Sequence, residues 1–331
     1  MYLVHSFLMR RKSERRMTMQ IKEFSLKVKE MLEGMISDEY ELFNHSVIKA
    51  NDTIHIAISV KKKGENIAKN IYLEQYYEKY NEGCEISVIV DDILKEAIRD
   101  RDILDNDYVE EMLRDICDYE QIKDKLIIKL VNQEKNQKYL EDKIYKEYLD
   151  LAVVFQIVVA GPDKNMATIC VSNKMFEKWN ISLEELYSVA LDNSQRLLPA
   201  NIMSIEDVII GLIEEQGKKA DDFGIEESLV NNATPLYVLS NTYKNKGATT
   251  ILYRDILKDF AIRCDVNEVI IIPSSVDEVL LIPKISDNTI SEENCKEMLL
   301  SVNDTLERDI VLSSNIYVYN LIENEIRIYN D

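Results

Sequence analysis

The chain has 331 residues, with 40 Lys and Arg against 60 Asp and Glu, a formal net charge of -20, and only 8 Gly and 5 Pro. A strongly acidic chain is poorly suited to bind the phosphates of DNA or RNA, so we predict no direct nucleic-acid binding. The glycine shortage leaves little material for phosphate-binding loops. At 46% hydrophobic residues the chain can bury a core, and its length suggests two domains.

The first 20 residues differ from the rest, because they carry five Lys/Arg and one Glu, a net charge of +4. An apolar run precedes the basic one, the reverse of a secretory signal. Helical periodicity begins only at Ile21, so we predict that residues 1–18 are a non-native or disordered extension. The start then lies at Met17 or Met19 rather than Met1, and the alternative is a short basic membrane-surface anchor.

The cysteines are odd in number and widely spaced, which is typical of reduced thiols in the cytoplasm rather than of a disulfide framework. They are Cys84, Cys117, Cys170, Cys264 and Cys295. We therefore predict a cytoplasmic protein. No stretch after the first segment reaches the roughly 18 apolar residues of a transmembrane helix, so we predict no membrane span.

The N-terminal half is predicted to be helix-rich. Apolar residues at helical spacing from Ile21 to Met35 indicate an amphipathic helix. Alternation over 53–60 indicates a half-buried strand that pairs with the segment before it across Asn51-Asp52. Residues 71–131 show mainly helical spacing.

Four tyrosines form a stripe within that helical stretch, at Tyr72, Tyr76, Tyr77 and Tyr80. Tyrosine is enriched in protein interfaces, so the stripe is a candidate interaction surface. The alternative is that these side chains pack between helices in the core.

The C-terminal half is predicted to be richer in strands. A nearly apolar run over 151–159 and a second strand over 167–172 flank a turn. Further strands are expected near 236–239, 269–272 and 279–282, with helices between them and a closing hairpin. This order indicates an α+β fold, with a helix-rich domain with a β-hairpin over 19–148 and a mixed or antiparallel sheet domain with interspersed helices over 149–331.

Three residues near predicted strand–helix junctions are further candidate interaction residues. Asn173 and Asn241 each follow a strand, where they could present two polar groups on one edge or serve as ordinary helix caps. Trp179, the single tryptophan, precedes a helix capped by Ser182; it could stack on a ligand or pack beneath that helix.

Motifs for dinucleotides, P-loop phosphates, zinc hydrolysis and serine hydrolysis are absent from the sequence. His45 and His55 lie on the two hairpin strands, but a metal site would need more ligands. We therefore predict no catalytic residues, metal or cofactor. Residues 91–124 hold 13 acidic and 5 basic side chains, which permits a nucleic-acid mimic or a plain solvated face.

Several segments resemble a bacterial family of unknown function that is common in Gram-positive gut anaerobes. They are residues 66–74, 129–132, 149–152, 173–193, 235–253 and 272–281. The resemblance extends over about residues 19–330, and the second half also resembles another uncharacterised bacterial family. It implies no activity, because none is established for the family.

The leading functional hypothesis is a non-enzymatic protein-binding or adaptor module with an unknown protein partner. Two alternatives remain: an enzyme without a short sequence signature, and an acidic inhibitor that mimics nucleic acid. A pocket that unites a histidine with acids of raised pKa would favour the enzyme, whereas a flat apolar patch near the tyrosines would favour the adaptor.

Overall fold

A computed structural model describes eight segments of the chain: residues 19–65, 68–98, 114–161, 166–215, 235–273, 275–285, 292–304 and 306–329. They fall into two compact units. The first contains residues 19–48 and 54–98, and the second contains residues 49–53 and 114–329. Residues 114–148, which the sequence analysis grouped with the N-terminal domain, thus belong to the second unit.

The first unit is a three-stranded antiparallel sheet with helices. Its elements are α1 (Ile21–Glu33), β1 (Tyr40–Ile48), β2 (Ile54–Lys62), β3 (Ala68–Tyr72), α2 (Glu74–Asn81) and α3 (Ile86–Ile98). The sheet order is β1-β2-β3. Phe24 and Val28 of α1 pack with Ile58 of β2 and Ile93 of α3, because the apolar stripe of each helix faces the inner side of the sheet.

The predicted hairpin is confirmed, since β1 and β2 pair from Tyr40 opposite Lys62 to Ile48 opposite Ile54. Asn51 and Asp52 at its tip both have positive φ, of 57° and 49°. Asn and Asp tolerate that backbone region better than other non-glycine residues, which explains their choice at the tip.

The second unit begins with a small antiparallel sheet. Its elements are α4 (Tyr119–Ile122), β4 (Leu126–Asn132), α5 (Gln137–Leu140), β5 (Tyr145–Tyr148), β6 (Leu151–Ala160) and β7 (Ala167–Cys170). The central strand β6 pairs with β4 on one edge, while β5 and β7 pair with successive parts of its other edge.

The sequence indicated helix over 71–131, but two strands overlap that stretch. Strand β3 ends inside its first residues, and β4 occupies its last residues. The β4 sequence, Leu-Ile-Ile-Lys-Leu-Val-Asn, is a short apolar run buried on both faces. Such a run fits a buried helix and a buried strand equally well, and here the pairing with β6 decides the outcome. Residues 99–113 of this stretch, which hold 6 of the 13 acidic side chains of 91–124, lie outside the described residues.

The rest of the second unit holds a six-stranded antiparallel sheet. Its elements are α6 (Asn173–Trp179), α7 (Leu183–Leu197), β8 (Ala200–Ser204), α8 (Ile205–Glu215), β9 (Tyr237–Asn241), a 3-10 helix (Gly247–Leu252), α9 (Ile256–Arg263), β10 (Glu268–Ile272), β11 (Val279–Pro283), α10 (Glu292–Asn303), β12 (Tyr317–Asn320) and β13 (Glu325–Ile328). The strand order is β13-β12-β10-β11-β9-β8.

One carboxylate, that of Asp150, ties the turn before β6 to the segment that enters β12. Asp150 accepts hydrogen bonds from Ser313 Oγ at 2.6 Å, Asn315 Nδ2 at 3.1 Å and the Tyr317 hydroxyl at 2.6 Å. Burial, followed by the neighbouring Asp150 charge, raises the pKa of Tyr317, so this hydroxyl stays protonated as a donor.

The fold class is α+β, as the sequence predicted: helices are interspersed among antiparallel sheets. The strands predicted near 151–159, 167–172, 269–272 and 279–282 are confirmed within one or two residues at each end. Among the described residues, the helices are too short or too polar to cross a lipid bilayer.

Candidate functional site

The tyrosine stripe contributes to the core of the first unit. Tyr76 is 6% exposed, and Tyr77 and Tyr80 pack against the same apolar cluster. The Phe24 ring centroid lies 5.4 Å from that of Tyr77 and 5.2 Å from that of Tyr80. Tyr72 lies at the end of β3. Core packing was the alternative for this stripe, and its role in an interface stays a prediction.

Trp179 and Asn173 lie at the two ends of α6. The Trp179 ring is buried, and its Nε1 donates to the Ile116 carbonyl at 2.9 Å. Asn173 is the first helical residue, whereas the N-cap is Ser172, and Asn173 Nδ2 donates to the Glu141 carbonyl at 3.4 Å. Both side chains are thus engaged in contacts within the second unit.

Asn241 is the last residue of β9 and is buried. Its Oδ1 accepts from the backbone N–H groups of Tyr243 at 3.0 Å and Asn245 at 3.4 Å, and its Nδ2 donates to the Asn245 carbonyl at 2.6 Å. These bonds hold the turn 242–246, which ends at Lys246.

One face of the small sheet carries three neighbouring polar side chains, whereas the other positions on that face are mainly apolar. Gln156 of β6 lies directly opposite Ile127 of β4 on one side and opposite Cys170 of β7 on the other. Lys129 of β4 lies opposite Val154, two residues from Gln156 and on the same face. We call Lys129, Gln156 and Cys170 the polar strip.

Apolar clusters flank the polar strip on both sides. One contains Val131, Leu140, Ala152 and Val154, with Tyr139 of α5 packed against it. The other contains Ile127, Met166 and Leu198, with Tyr243 of the turn 242–246 packed against it. Helix α5 and the turn therefore cover the same face of the sheet from opposite ends, and the polar strip lies between them.

Lys246 is a buried lysine at the end of that turn. Its side chain is 9% exposed, and its Nζ donates to Asn245 Oδ1 at 3.1 Å. Burial, followed by the charge of Lys129, lowers the pKa of Lys246 to about 8. Asp277 and Cys170 act in the opposite direction, so Lys129, Asp277 and Cys170 all lie within electrostatic range of Lys246.

Lys129 is partly buried, and burial lowers the pKa of its ammonium group as well. Cys170, Asp277 and Asp309 oppose this change, while Lys49 adds to it. Among the described residues, none accepts a hydrogen bond from Lys129 Nζ or forms an ion pair with it. Two cations thus share a desolvated region in which their charges are incompletely balanced.

Cys170 lies against two hydrogen-bonding groups in the strip. The Tyr139 hydroxyl is 3.2 Å from Cys170 Sγ, where either group can donate, and Gln156 Nε2 donates to the same sulfur at 3.4 Å. Gln156 is 5% exposed, and its Oε1 is buried without a hydrogen-bond partner among the described residues. Burial, followed by Cys170, raises the pKa of Tyr139, so its hydroxyl stays protonated.

The backbone after Lys246 approaches a neighbouring loop closely. A Cβ added at Gly247 would overlap the Asp277 carbonyl oxygen and Ser240 Oγ. The Lys246 N–H donates to Asp277 Oδ1 at 2.7 Å, and Ser240 Oγ donates to the Asp277 carbonyl at 2.6 Å. Glycine is required here because only a residue without Cβ permits this contact.

The sequence analysis missed Lys129, Gln156, Cys170 and Lys246. A usable signal exists for two of them, since Lys129 and Gln156 are single polar residues in the middle of apolar strands. A polar residue in a buried strand is expected to have a structural partner or a function. Lys246 carries no comparable signal, because its burial depends on a turn that folds over a distant sheet.

His45 and His55 belong to the first unit, whereas the polar strip belongs to the second. His45 Nδ1 is 3.4 Å from Ser59 Oγ, and His55 Nδ1 is 3.3 Å from Glu74 Oε2. The described part of the chain holds no group of three or more His, Cys, Asp or Glu side chains that could bind a metal ion.

Comparison with protein families matches residues 21–321 to a family of unknown function, DUF5688. The chain belongs to this family. The match spans both compact units and includes every residue of the polar strip. Neither the curated proteins nor the solved structures yield a match.

Proposed function

We propose that this protein binds a small oxyanion at the polar strip, through the ammonium groups of Lys129 and Lys246. The observation that carries the proposal is the pairing of two desolvated lysines on one face of a buried sheet. Lysines are rarely buried unless their charge is paired.

The positive charges of Lys129 and Lys246 are only partly neutralised by described acids, which favours the binding of an anion. Asp277 is a described acid that influences both lysines, and its Oδ1 already accepts from the Lys246 backbone N–H. Lys246 Nζ donates to an uncharged amide oxygen, and Lys129 Nζ has no described acceptor. An oxyanion would supply charge-assisted hydrogen bonds to both ammonium groups.

Thermal unfolding in a panel of anions tests the proposal. We expect phosphate, sulfate, acetate or citrate to raise the melting temperature above that in chloride of equal ionic strength, because a ligand of the folded state stabilises it. Lys129→Met and Lys246→Met should each abolish this difference.

Lys244→Met is the matched control for Lys246→Met. Both lysines belong to the same turn and both have positive φ, of 53° and 57°, but Lys244 is exposed. The two substitutions therefore remove the same charge at the same backbone cost. An anion response that Lys244→Met reduces as much as Lys246→Met does would contradict a site at the polar strip.

A protein-binding or adaptor function is a second candidate. It is supported by β1, a nine-residue outer strand in the described sheet, on which Phe43 is 48% exposed. Outer strands offer unpaired backbone groups to a partner strand. A partner bound in this way should be lost with Phe43→Ser and retained with Leu26→Ser, since Leu26 is exposed on α1.

A further inference from the structure

Cys170 differs from Cys264 in what surrounds its sulfur. Tyr139 and Gln156 both place a hydrogen-bonding group against Sγ, at 3.2 Å and 3.4 Å. Two lysine ammonium groups lie within electrostatic range of it. Hydrogen-bond donors and cations stabilise a thiolate relative to a thiol, and the thiolate is the reactive form of cysteine.

Gln156 supplies a second and independent observation. Its side chain is 5% exposed, its Nε2 faces the Cys170 sulfur, and its Oε1 has no donor among the described residues. A buried acceptor without a donor costs free energy. A group formed on the sulfur that carries a hydroxyl would supply that donor.

We propose that Cys170, in the polar strip, is a site of oxidation by hydroperoxides, which convert its side chain to a sulfenic acid. The thiolate sulfur attacks one peroxide oxygen, so that the S–O bond forms as the O–O bond breaks. The sulfur loses two electrons and the peroxide gains them. The leaving group, hydroxide from hydrogen peroxide or an alkoxide from an organic hydroperoxide, takes a proton from one of the ammonium groups and departs as water or as the alcohol.

The product fits the surroundings of Cys170. The sulfenic hydroxyl can donate to Gln156 Oε1, while Gln156 Nε2 and the Tyr139 hydroxyl can still donate toward the modified side chain. Cys170 is partly exposed, so a small oxidant can reach it. The inference shares the lysine pair with the proposed anion site but rests on the contacts of the sulfur.

Cys264 is the matched comparison within the same unit. It is also partly exposed, but burial raises the pKa of its thiol, and no described residue forms a hydrogen bond with its sulfur. The experiment treats the reduced full-length protein with limiting hydrogen peroxide and traps sulfenic acid with dimedone. Mass spectrometry of peptides then gives the rate of adduct formation at each cysteine.

We expect Cys170 to form the adduct about 10-fold faster than Cys264, and Lys129→Met or Lys246→Met to slow Cys170 by about 10-fold, because each removes one of the charges that stabilise the thiolate. Lys244→Met should leave the rate unchanged. The Cys264 rate should stay the same in every variant, which shows that the fold is retained.

Equal rates at Cys170 and Cys264 would overturn the inference, as would a Cys170 rate that neither lysine substitution changes. Anion binding is measured separately, by thermal unfolding of the reduced wild-type protein. The two readouts are independent, so failure of the oxidation leaves the anion site standing, and failure of anion binding leaves the oxidation result standing.

Discussion

The backbone N–H of Lys246 donates to Asp277 Oδ1 at 2.7 Å, which joins the turn after β9 to the loop before β11. Asp277 therefore acts as a positioning residue for Lys246. Its carboxylate also opposes the fall in the Lys246 pKa that burial produces.

We predict that Asp277→Ala destabilises the protein by about 1–3 kcal/mol, because it leaves a partly buried N–H without an acceptor. Asp277→Asn keeps an oxygen at the same position and should cost less than about 1 kcal/mol. Urea unfolding of the three proteins measures the difference. Equal losses for Ala and Asn would show that the charge matters and the hydrogen bond does not.

Two glycines give a paired test of the close backbone approach at the turn. Gly247→Ala should destabilise the protein by about 3 kcal/mol, because the new methyl group overlaps the Asp277 carbonyl and Ser240 Oγ. Gly211 lies in α8 with no heavy atom within 4 Å of a Cβ added there. Gly211→Ala should therefore stabilise the helix by about 0.5–1 kcal/mol.

Thermal or urea unfolding measures the stability of each variant relative to wild type. We expect the change to be negative for Gly247→Ala and positive for Gly211→Ala. A Gly247→Ala protein as stable as Gly211→Ala would mean that the turn can move away from Asp277. Gly247→Ala should also reduce the response to anions, since Lys246 directly precedes Gly247 and a shift of the turn displaces its side chain.

Much of the fold could be predicted from local pattern. The hairpin around Asn51-Asp52 and the run over 151–159 have strong periodicity and turn residues at their ends, and both are confirmed. Strand β4 was wrongly assigned to a helical stretch because a seven-residue apolar run has no distinguishing period. What makes this run a strand is its pairing with β6, a long-range contact that the local sequence does not indicate.

The polar strip could be predicted only in part. Lys129 and Gln156 stand out as polar residues inside apolar strands, but their common face depends on the register of β4 against β6. Lys246 lies 117 residues after Lys129 and 90 residues after Gln156 in the sequence. Its approach to the strip follows from the packing of Tyr243 against the cluster that contains Ile127, which no local pattern encodes.

Asp150 provides a prediction independent of the proposed site. Asp150→Ala removes the acceptor of three hydrogen bonds and leaves the Tyr317 hydroxyl and the Ser313 hydroxyl without it. We expect a loss of about 3–5 kcal/mol in the free energy of unfolding, since buried donors lose their partner. Asp142→Ala, at an exposed carboxylate paired with Lys143, should cost less than about 1 kcal/mol. A similar loss for both would contradict the role of Asp150.

The lowered pKa of Lys246 predicts a dependence of stability on pH. Between pH 8 and about 10.5 the unfolded state binds a proton at this lysine and the folded state does not. Stability should therefore rise with pH in this window, by at most about 1.4 kcal/mol per pH unit. The charge penalty is present in full below pH 8.

The difference between wild type and Lys246→Met isolates this contribution, because both proteins retain Lys129, Asp277, Cys170 and the tyrosines. Urea unfolding at pH 8.0, 8.5 and 9.0 in chloride buffer should show wild type gaining stability relative to Lys246→Met. A constant difference across these values would mean that Lys246 titrates normally.

The most direct test of the anion site is the titration of Lys246 itself, followed by the NMR signal of its side-chain carbon and assigned with Lys246→Met. In chloride we predict a pKa of about 8. In a saturating concentration of the anion that most raises the melting temperature, the pKa should rise by at least about one unit, because a bound negative charge favours the ammonium form. An unchanged pKa in the presence of that anion would contradict a site formed by Lys129 and Lys246.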